Sequence, residues 1–133
     1  MDEKYIVPFI IDGRSVDAVL EIEDADNCKI LLKAGDFTLF SEDENYFYAL
    51  IKLRKELEPK GIKLLCLGCA RNVFPSPMIL DMGDAIRAYK MTMGKQAKMA
   101  DLVCIFDPCE LEDYATIEEQ EAFYEAWIKS EKG

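Results

Sequence analysis

Residues 15–23 have the sequence SVDAVLEIE, which alternates between apolar and polar side chains. Val16, Ala18, Leu20 and Ile22 occupy every second position. A two-residue period is typical of a strand that has one buried face and one solvated face. This stretch therefore predicts a half-buried β-strand, and the neighbouring segments can be placed around it.

The flanking residues predict an antiparallel meander. Segment 5–11 is rich in β-forming side chains, and Asp12 and Gly13 tolerate the positive φ that a tight hairpin needs. Two more strands are expected near 28–33 and 37–40. Pro8 has no amide donor, so its strand is expected at a sheet edge or with the Pro8 side facing outward.

Two helices are predicted, near 42–58 and 116–130, because each begins with a capping-box pattern. Ser41 precedes Glu44 by three residues, and Thr116 precedes Glu119 in the same way. In the first helix, Arg54 and Glu58 are expected to pair on the solvated side.

The middle of the chain gives weaker signals. Residues 62–67 form a short apolar run that predicts a central strand, residues 68–83 read as an irregular loop, and 85–92 favours a strand. Residues 102–106 predict a short helix. We therefore expect one α+β domain over 1–133, in which the two longer helices pack on an antiparallel sheet.

The composition excludes several classes of protein. The 133 residues include no histidine, which rules out Ser-His-Asp and Cys-His catalysis. Neither a secretory signal nor a long apolar span is evident, so we expect a cytoplasmic protein without a membrane association. The net charge of −10 argues against direct nucleic-acid binding, and no glycine-rich phosphate motif occurs.

The five cysteines suit reduced thiols better than a disulfide framework. Cys66 and Cys69 have the Cys-x-x-Cys spacing, and Cys104 with Cys109 could complete a zinc site. The spacing also occurs in thioredoxin-like redox pairs, but no strand-to-helix context with the first thiol at a helix N-terminus is evident here. Burial as small core residues is the preferred interpretation, with no metal and no cofactor. Cys66 and Cys104 are then expected to be buried, Cys109 more exposed and Cys69 intermediate.

Segment 68–87 supplies the candidate ligand-binding residues. Arginine, asparagine and serine side chains can donate hydrogen bonds to a phosphate or carboxylate, and a nearby aspartate can act as a base or position an arginine. The same residues can equally pin an irregular loop. The candidates are Arg71, Asn72, Ser76, Asp81, Asp84 and Arg87.

Charge is unevenly distributed along the chain. Residues 60–100 hold seven basic and two acidic side chains, whereas 101–133 hold two basic and ten acidic ones. An acidic segment is usually a solvated face, and the sharper interpretation is a docking surface for a basic partner. Its candidate residues are Glu110, Glu112, Asp113, Glu118 and Glu121.

Part of the chain resembles a known group of proteins. Residues 66–78 read CLGCARNVFPSPM, and they are followed by DMG at 81–83, AY at 88–89, MGK at 93–95 and DLVCIF at 101–106. This pattern, confined to 66–106, resembles small uncharacterised bacterial cytosolic proteins associated with immunity proteins of toxin systems. The resemblance implies a bacterial protein that binds and neutralises a cognate toxin, and it carries over no catalytic residue.

Two functional hypotheses follow. The preferred one is a non-catalytic acidic protein that binds a basic protein domain and masks its charge. The alternative is a small-anion binding module or enzyme that uses segment 68–87. A homodimer is compatible with an exposed strand edge, although the net charge of −10 opposes it.

Overall fold

The computed structural model describes residues 3–132, and the first part of this chain forms a curled antiparallel sheet. Its strands are β1 (Glu3–Ile11), β2 (Arg14–Asp24), β3 (Cys28–Ala34), β4 (Phe37–Asp43) and β5 (Lys63–Leu64). Their order in the sheet is β4-β3-β2-β1-β5. The α+β class and the predicted meander are therefore confirmed.

The alternation in β2 places its apolar side chains against the core, as predicted. Ala18, Leu20 and Ile22 are buried, and Leu20 lies opposite Leu32 of β3. Val16 is an exception because 41% of its surface is exposed. Strand β3 pairs with β2 only from Val19 onward, so the end of β2 that carries Val16 is left uncovered.

The first helix, α1, spans Tyr46–Leu57 and begins later than predicted. Its N-cap is Asn45, whose side-chain oxygen accepts a hydrogen bond from the Tyr48 amide at 2.8 Å. The prediction that Ser41 caps this helix was wrong, because pairing with β3 extends β4 through Asp43. Ser41 instead lies in β4 and donates its hydroxyl to the Ala49 carbonyl at 2.7 Å.

The strand predicted at 62–67 is shorter than expected and lies at an edge. Strand β5 has two residues and pairs with β1 only opposite Phe9 and Ile10. The prediction of a central strand was therefore wrong. Leu64 and Cys66 are nevertheless buried. The apolar run at 62–67 therefore indicates burial in the core and not a central position in the sheet.

A second sheet, which the sequence patterns did not predict, combines three short strands. These are β6 (Val73–Phe74), β7 (Arg87–Lys90) and β8 (Leu102–Cys104), in the order β6-β7-β8. Segment 68–83 is thus not wholly irregular, since it also contains the helix α2 at Pro77–Met82. The strand expected within 85–92 is confirmed, and the short helix expected at 102–106 was wrong.

The last helix, α3, spans Ile117–Lys132 and confirms the helix predicted near 116–130. It packs beside the second sheet, where the rings of Phe74 and Tyr124 stack with centroids 4.2 Å apart. One hydrophobic core joins the two sheets, and Phe106 contacts both Tyr5 and Tyr46. Within residues 3–132 no helix is long and apolar enough to span a membrane.

Candidate functional site

The acidic surface, defined here as residues 107–125, is built from a 3-10 turn at Leu111–Asp113 and the first half of α3. Asp113 Oδ2 accepts a hydrogen bond from the Glu110 amide at 3.1 Å. At the start of α3, Thr116 Oγ1 accepts from the Glu119 amide at 3.2 Å, and the Thr116 amide donates to Glu119 Oε1 at 2.9 Å. Both caps hold the backbone that carries the carboxylates.

The carboxylates predicted to form this surface all face solvent. The segment holds eight acidic side chains and no basic one. The Thr116 backbone hydrogen bond lowers the pKa of Glu119, which keeps that carboxylate ionised. The residues that were predicted to form a docking surface are all exposed: Glu110, Glu112, Asp113, Glu118 and Glu121.

The neighbouring Arg71 neutralises little of this charge. Its Nη2 atom lies 3.8 Å from Glu119 Oε2, and both side chains are about half exposed. An exposed ion pair of this length contributes little free energy and leaves both groups hydrated. Arg71 therefore leaves most of the negative charge of the acidic surface unneutralised.

The first three candidate ligand residues stabilise local structure instead of converging. Asn72 Nδ2 donates to the Met91 carbonyl at 3.2 Å, across the β6–β7 edge. Ser76 caps α2, since its hydroxyl oxygen accepts the Ile79 amide at 3.2 Å. Arg71 points toward Glu119 of α3.

The other three candidates lie near the opposite end of the second sheet. Asp81 is exposed on α2, and Asp84 Oδ1 accepts the Ile86 amide at 3.1 Å. Val73 pairs with Lys90 at the last position of β7, so Arg71, in the turn before β6, and Arg87, at the first position of β7, lie near opposite ends of the second sheet. The structure does not bring the six residues into one site.

A groove of about 480 Å³ lies beside Arg87 and Asp84 and is lined mainly by apolar side chains. Met78 and Met82 form part of its wall and are 70% and 82% exposed. Flexible exposed methionines of this kind adapt to varied apolar contacts. The sequence patterns did not predict this groove, because residues 77–82, which form α2, were expected to lie in an irregular loop.

A second cavity of about 320 Å³ lies between the second sheet and α3. Phe74, Tyr89, Tyr124 and Trp127 contribute to its lining. Trp127 Nε1 donates to the Thr92 and Lys95 carbonyls at 3.0 and 2.9 Å, which fixes the turn beside the cavity. The sequence patterns predicted the helix but not this cavity.

The most buried charged residue is Arg54, which was wrongly predicted to face solvent. Only 1% of its surface is exposed. Its Nη1 donates to Gln120 Oε1 at 2.6 Å and to the Gly68 carbonyl at 3.3 Å, and Nη2 donates to the Ala115 carbonyl at 2.9 Å. The available signal was its position four residues after Leu50, on the apolar stripe of α1.

The cysteines do not form the four-thiolate site considered for zinc. Cys104 lies in β8 beside Tyr5. In the part of the chain that the structure describes, no three His, Cys, Asp or Glu side chains are arranged to hold a metal ion.

The predicted order of cysteine exposure was partly wrong. Cys66 is buried, as expected, but Cys69 is buried as well, whereas Cys104 and Cys109 are both half-buried. Cys69 is the last residue of a short 3-10 turn that packs in the core. The local sequence does not show that the chain enters the core at this turn.

Comparison with known proteins finds no family model that matches the chain and no curated protein with significant similarity to it.

Proposed function

We propose that this chain is a non-catalytic binding protein whose acidic surface docks onto a basic protein domain. The observation that carries the proposal is the exposure of eight carboxylates in a segment with no basic residue. Charged side chains at such density create a local field that attracts an oppositely charged surface.

The rigidity of the surface supports a role in recognition. The capping box of α3 fixes the first turn, and Gln120 anchors the same turn in the core through its contacts to Gly68, Ala70 and Val73. A surface that is already ordered loses less conformational entropy when it binds. The carboxylates are thus presented on a scaffold that needs no folding step.

The partner is proposed to be a bacterial toxin domain, on the strength of the resemblance of residues 66–106 to proteins associated with immunity functions. A basic nuclease-like surface attracts phosphates, and carboxylates on this chain would occupy that surface in their place. Inhibition would then result from occlusion and would require no chemistry on the partner.

The small-anion alternative receives no comparable support. Asn72, Ser76 and Asp84 use their side chains in local hydrogen bonds, and the two arginines lie near opposite ends of the second sheet. A phosphate site needs several donors that converge on one point.

The first experiment is recovery of the partner from the native host with the tagged chain, followed by association kinetics at several salt concentrations. We expect a basic partner that arrests growth when expressed alone and is harmless when co-expressed with this chain. The association rate constant should fall as ionic strength rises, because salt screens long-range attraction.

Charge-reversal variants localise the interaction. Changing Glu112, Glu118 and Glu121 to Lys should slow association by about tenfold or more. The matched control changes the exposed residues Asp17, Asp26 and Asp36 to Lys, which alters the net charge equally but leaves the acidic surface intact. Equal effects of both triple variants, an acidic partner, or no bound protein would contradict the proposal.

A further inference from the structure

The sulfur atoms of Cys66 and Cys69 lie 3.7 Å apart inside the protein. Cys66 is the residue before a 3-10 turn at Leu67–Cys69, and the three-residue spacing places both thiols on the same side of that turn. Neither side chain is exposed, and both are free thiols. The two sulfurs need to approach by less than about 2 Å to form a disulfide bond.

A buried guanidinium lies beside this pair. Arg54 donates from Nη1 to the carbonyl of Gly68, the residue between Leu67 and Cys69, at 3.3 Å. Its Nε atom has no hydrogen-bond acceptor among the described residues, and the Glu58 carboxylate is 3.8 Å away. A buried cation favours negative charge on neighbouring ionisable groups.

This environment gives the two thiols different acidities. Hydrogen bonding between the two thiols and the charge of Arg54 lower the pKa of Cys69, against the opposing effect of burial. The same hydrogen bond and burial raise the pKa of Cys66. These opposite shifts make Cys69 the more acidic thiol of the pair.

We propose that Cys66 and Cys69 form a redox-active dithiol that reacts with a small peroxide and closes to a disulfide. The assignment rests on the short sulfur–sulfur distance and on the buried Arg54 beside the turn, whose Nε atom lacks a hydrogen-bond acceptor among the described residues. It is independent of the acidic surface and of any toxin partner.

The reaction balances with hydrogen peroxide as the oxidant. The Cys69 thiolate attacks one peroxide oxygen, the O–O bond breaks, and the departing hydroxide takes up a proton to leave as water. The sulfur of Cys66 then attacks the Cys69 sulfenic acid, and the S–S bond forms. The sulfenic oxygen leaves with the Cys66 proton as a second water.

A third thiol, Cys109, lies close enough to provide an internal comparison. Its sulfur contacts the Cys66 carbonyl at 3.3 Å, and it is half-buried. Burial raises the pKa of Cys109 to about 12, so it stays protonated at neutral pH. A protonated thiol is a poor nucleophile, so Cys109 should not compete with Cys69.

The burial of both sulfurs predicts selectivity for small oxidants. Peroxide is close to water in size and can reach the turn during a local opening, whereas a bulky disulfide reagent needs a larger one. Oxidation by hydrogen peroxide should therefore proceed faster than oxidation by a bulky aromatic disulfide at equal concentration.

Peptide mapping provides a direct test on the full chain. The reduced protein is treated with hydrogen peroxide, its remaining thiols are alkylated under denaturing conditions, and it is digested with trypsin. Cys66 and Cys69 lie in one tryptic peptide, residues 64–71. We expect this peptide to be unalkylated and lighter by two hydrogen atoms than the reduced form.

Serine variants assign the roles of the two thiols. Cys66→Ser should leave a sulfenic acid on Cys69 that a 1,3-diketone traps, whereas Cys69→Ser should slow oxidation of Cys66 by about tenfold or more. In the control variants Cys104→Ser and Cys109→Ser, hydrogen peroxide should oxidise the 64–71 peptide at the same rate as in the unmodified chain. Circular dichroism checks that each variant is folded.

Three results would overturn the proposal. The first is a 64–71 peptide that stays fully reduced while Cys104 or Cys109 is oxidised. The second is a disulfide that maps between Cys69 and Cys109. The third is trapping of sulfenic acid on Cys66 in place of Cys69. If a serine variant fails to fold, mapping of the unmodified chain still tests the disulfide through the first two outcomes.

Discussion

Arg54 on α1 and Gln120 on α3, which are 66 positions apart in the chain, share a 2.6 Å hydrogen bond from Nη1 to Oε1 in the core. Gln120 Nε2 in turn contacts the carbonyls of Gly68, Ala70 and Val73 at 2.8–2.9 Å. The pair thus supplies hydrogen-bond donors to backbone carbonyls of the 68–73 segment inside the core. It ties together the helix of the first sheet, the connecting segment and the helix that carries the acidic surface.

Removal of either partner should destabilise the protein strongly. Arg54→Met and Gln120→Leu preserve approximate volume but leave buried polar groups unpaired, and each should lower the free energy of unfolding by about 3 kcal/mol. Urea denaturation measures the change, and the double variant should lose less than the sum because the two side chains interact. The control Arg71→Ala, at an exposed site, should change stability by less than about 0.5 kcal/mol. Additive losses would show that the two residues act separately.

The N-cap of α1 gives a second prediction. Asn45→Ala removes the oxygen that accepts the Tyr48 amide and should cost about 1 kcal/mol of unfolding free energy. Asn45→Ser keeps an acceptor at the same position and should recover most of that loss. Thermal or urea unfolding of the two variants measures the difference. Equal stability of the alanine and serine variants would argue against a capping role.

Two glycines should respond to alanine for different reasons. A Cβ atom at Gly68 would lie 2.5 Å from Leu50 Cδ2 and 3.0 Å from Ile105 Cβ, so Gly68→Ala should cost about 1–3 kcal/mol through overpacking. Gly94 has open space around it but a φ of +80°, so Gly94→Ala should cost only about 1 kcal/mol through backbone strain. In a background that carries Leu50→Ala, Gly68→Ala should cost less unfolding free energy, whereas the cost of Gly94→Ala should stay the same. If Gly68→Ala costs the same unfolding free energy with and without Leu50→Ala, the assigned clash with Leu50 is contradicted.

The capping box of α3 predicts a pH dependence. Backbone and side-chain hydrogen bonds at Thr116 lower the pKa of Glu119 in the folded chain. A carboxyl group with a lowered folded pKa contributes stability above its unfolded pKa and loses that contribution as pH falls through the folded value. The stability difference between the unmodified chain and Glu119→Ala should therefore be largest near neutral pH and shrink below about pH 4. Urea midpoints measured from pH 7 to pH 3 check this, and a difference that grows on acidification would be inconsistent with the assigned cap.

Local sequence determined the elements whose signals are complete within a few residues. The alternation in 15–23 specified the buried face of β2, and Thr116 with Glu119 specified the start of α3, because each pattern follows from backbone geometry alone. Exposure of the acidic segment was predictable for a similar reason, since ionised carboxylates without partners are costly to bury.

Tertiary structure decided the features that depend on distant partners. The sequence around Ser41 fits a helix cap, but pairing with β3 places Ser41 in β4. Leu102–Cys104 forms a strand because it pairs with β7. Arg54 is buried only because Gln120, Ala115 and Gly68 supply acceptors from distant parts of the chain. The contact between the Cys66 and Cys69 sulfurs follows from their spacing along the chain. The position of the Arg54 guanidinium beside them depends on the tertiary fold. Periodicity reports which face of an element is apolar, whereas the partners that satisfy a buried charge are brought together only by the complete fold.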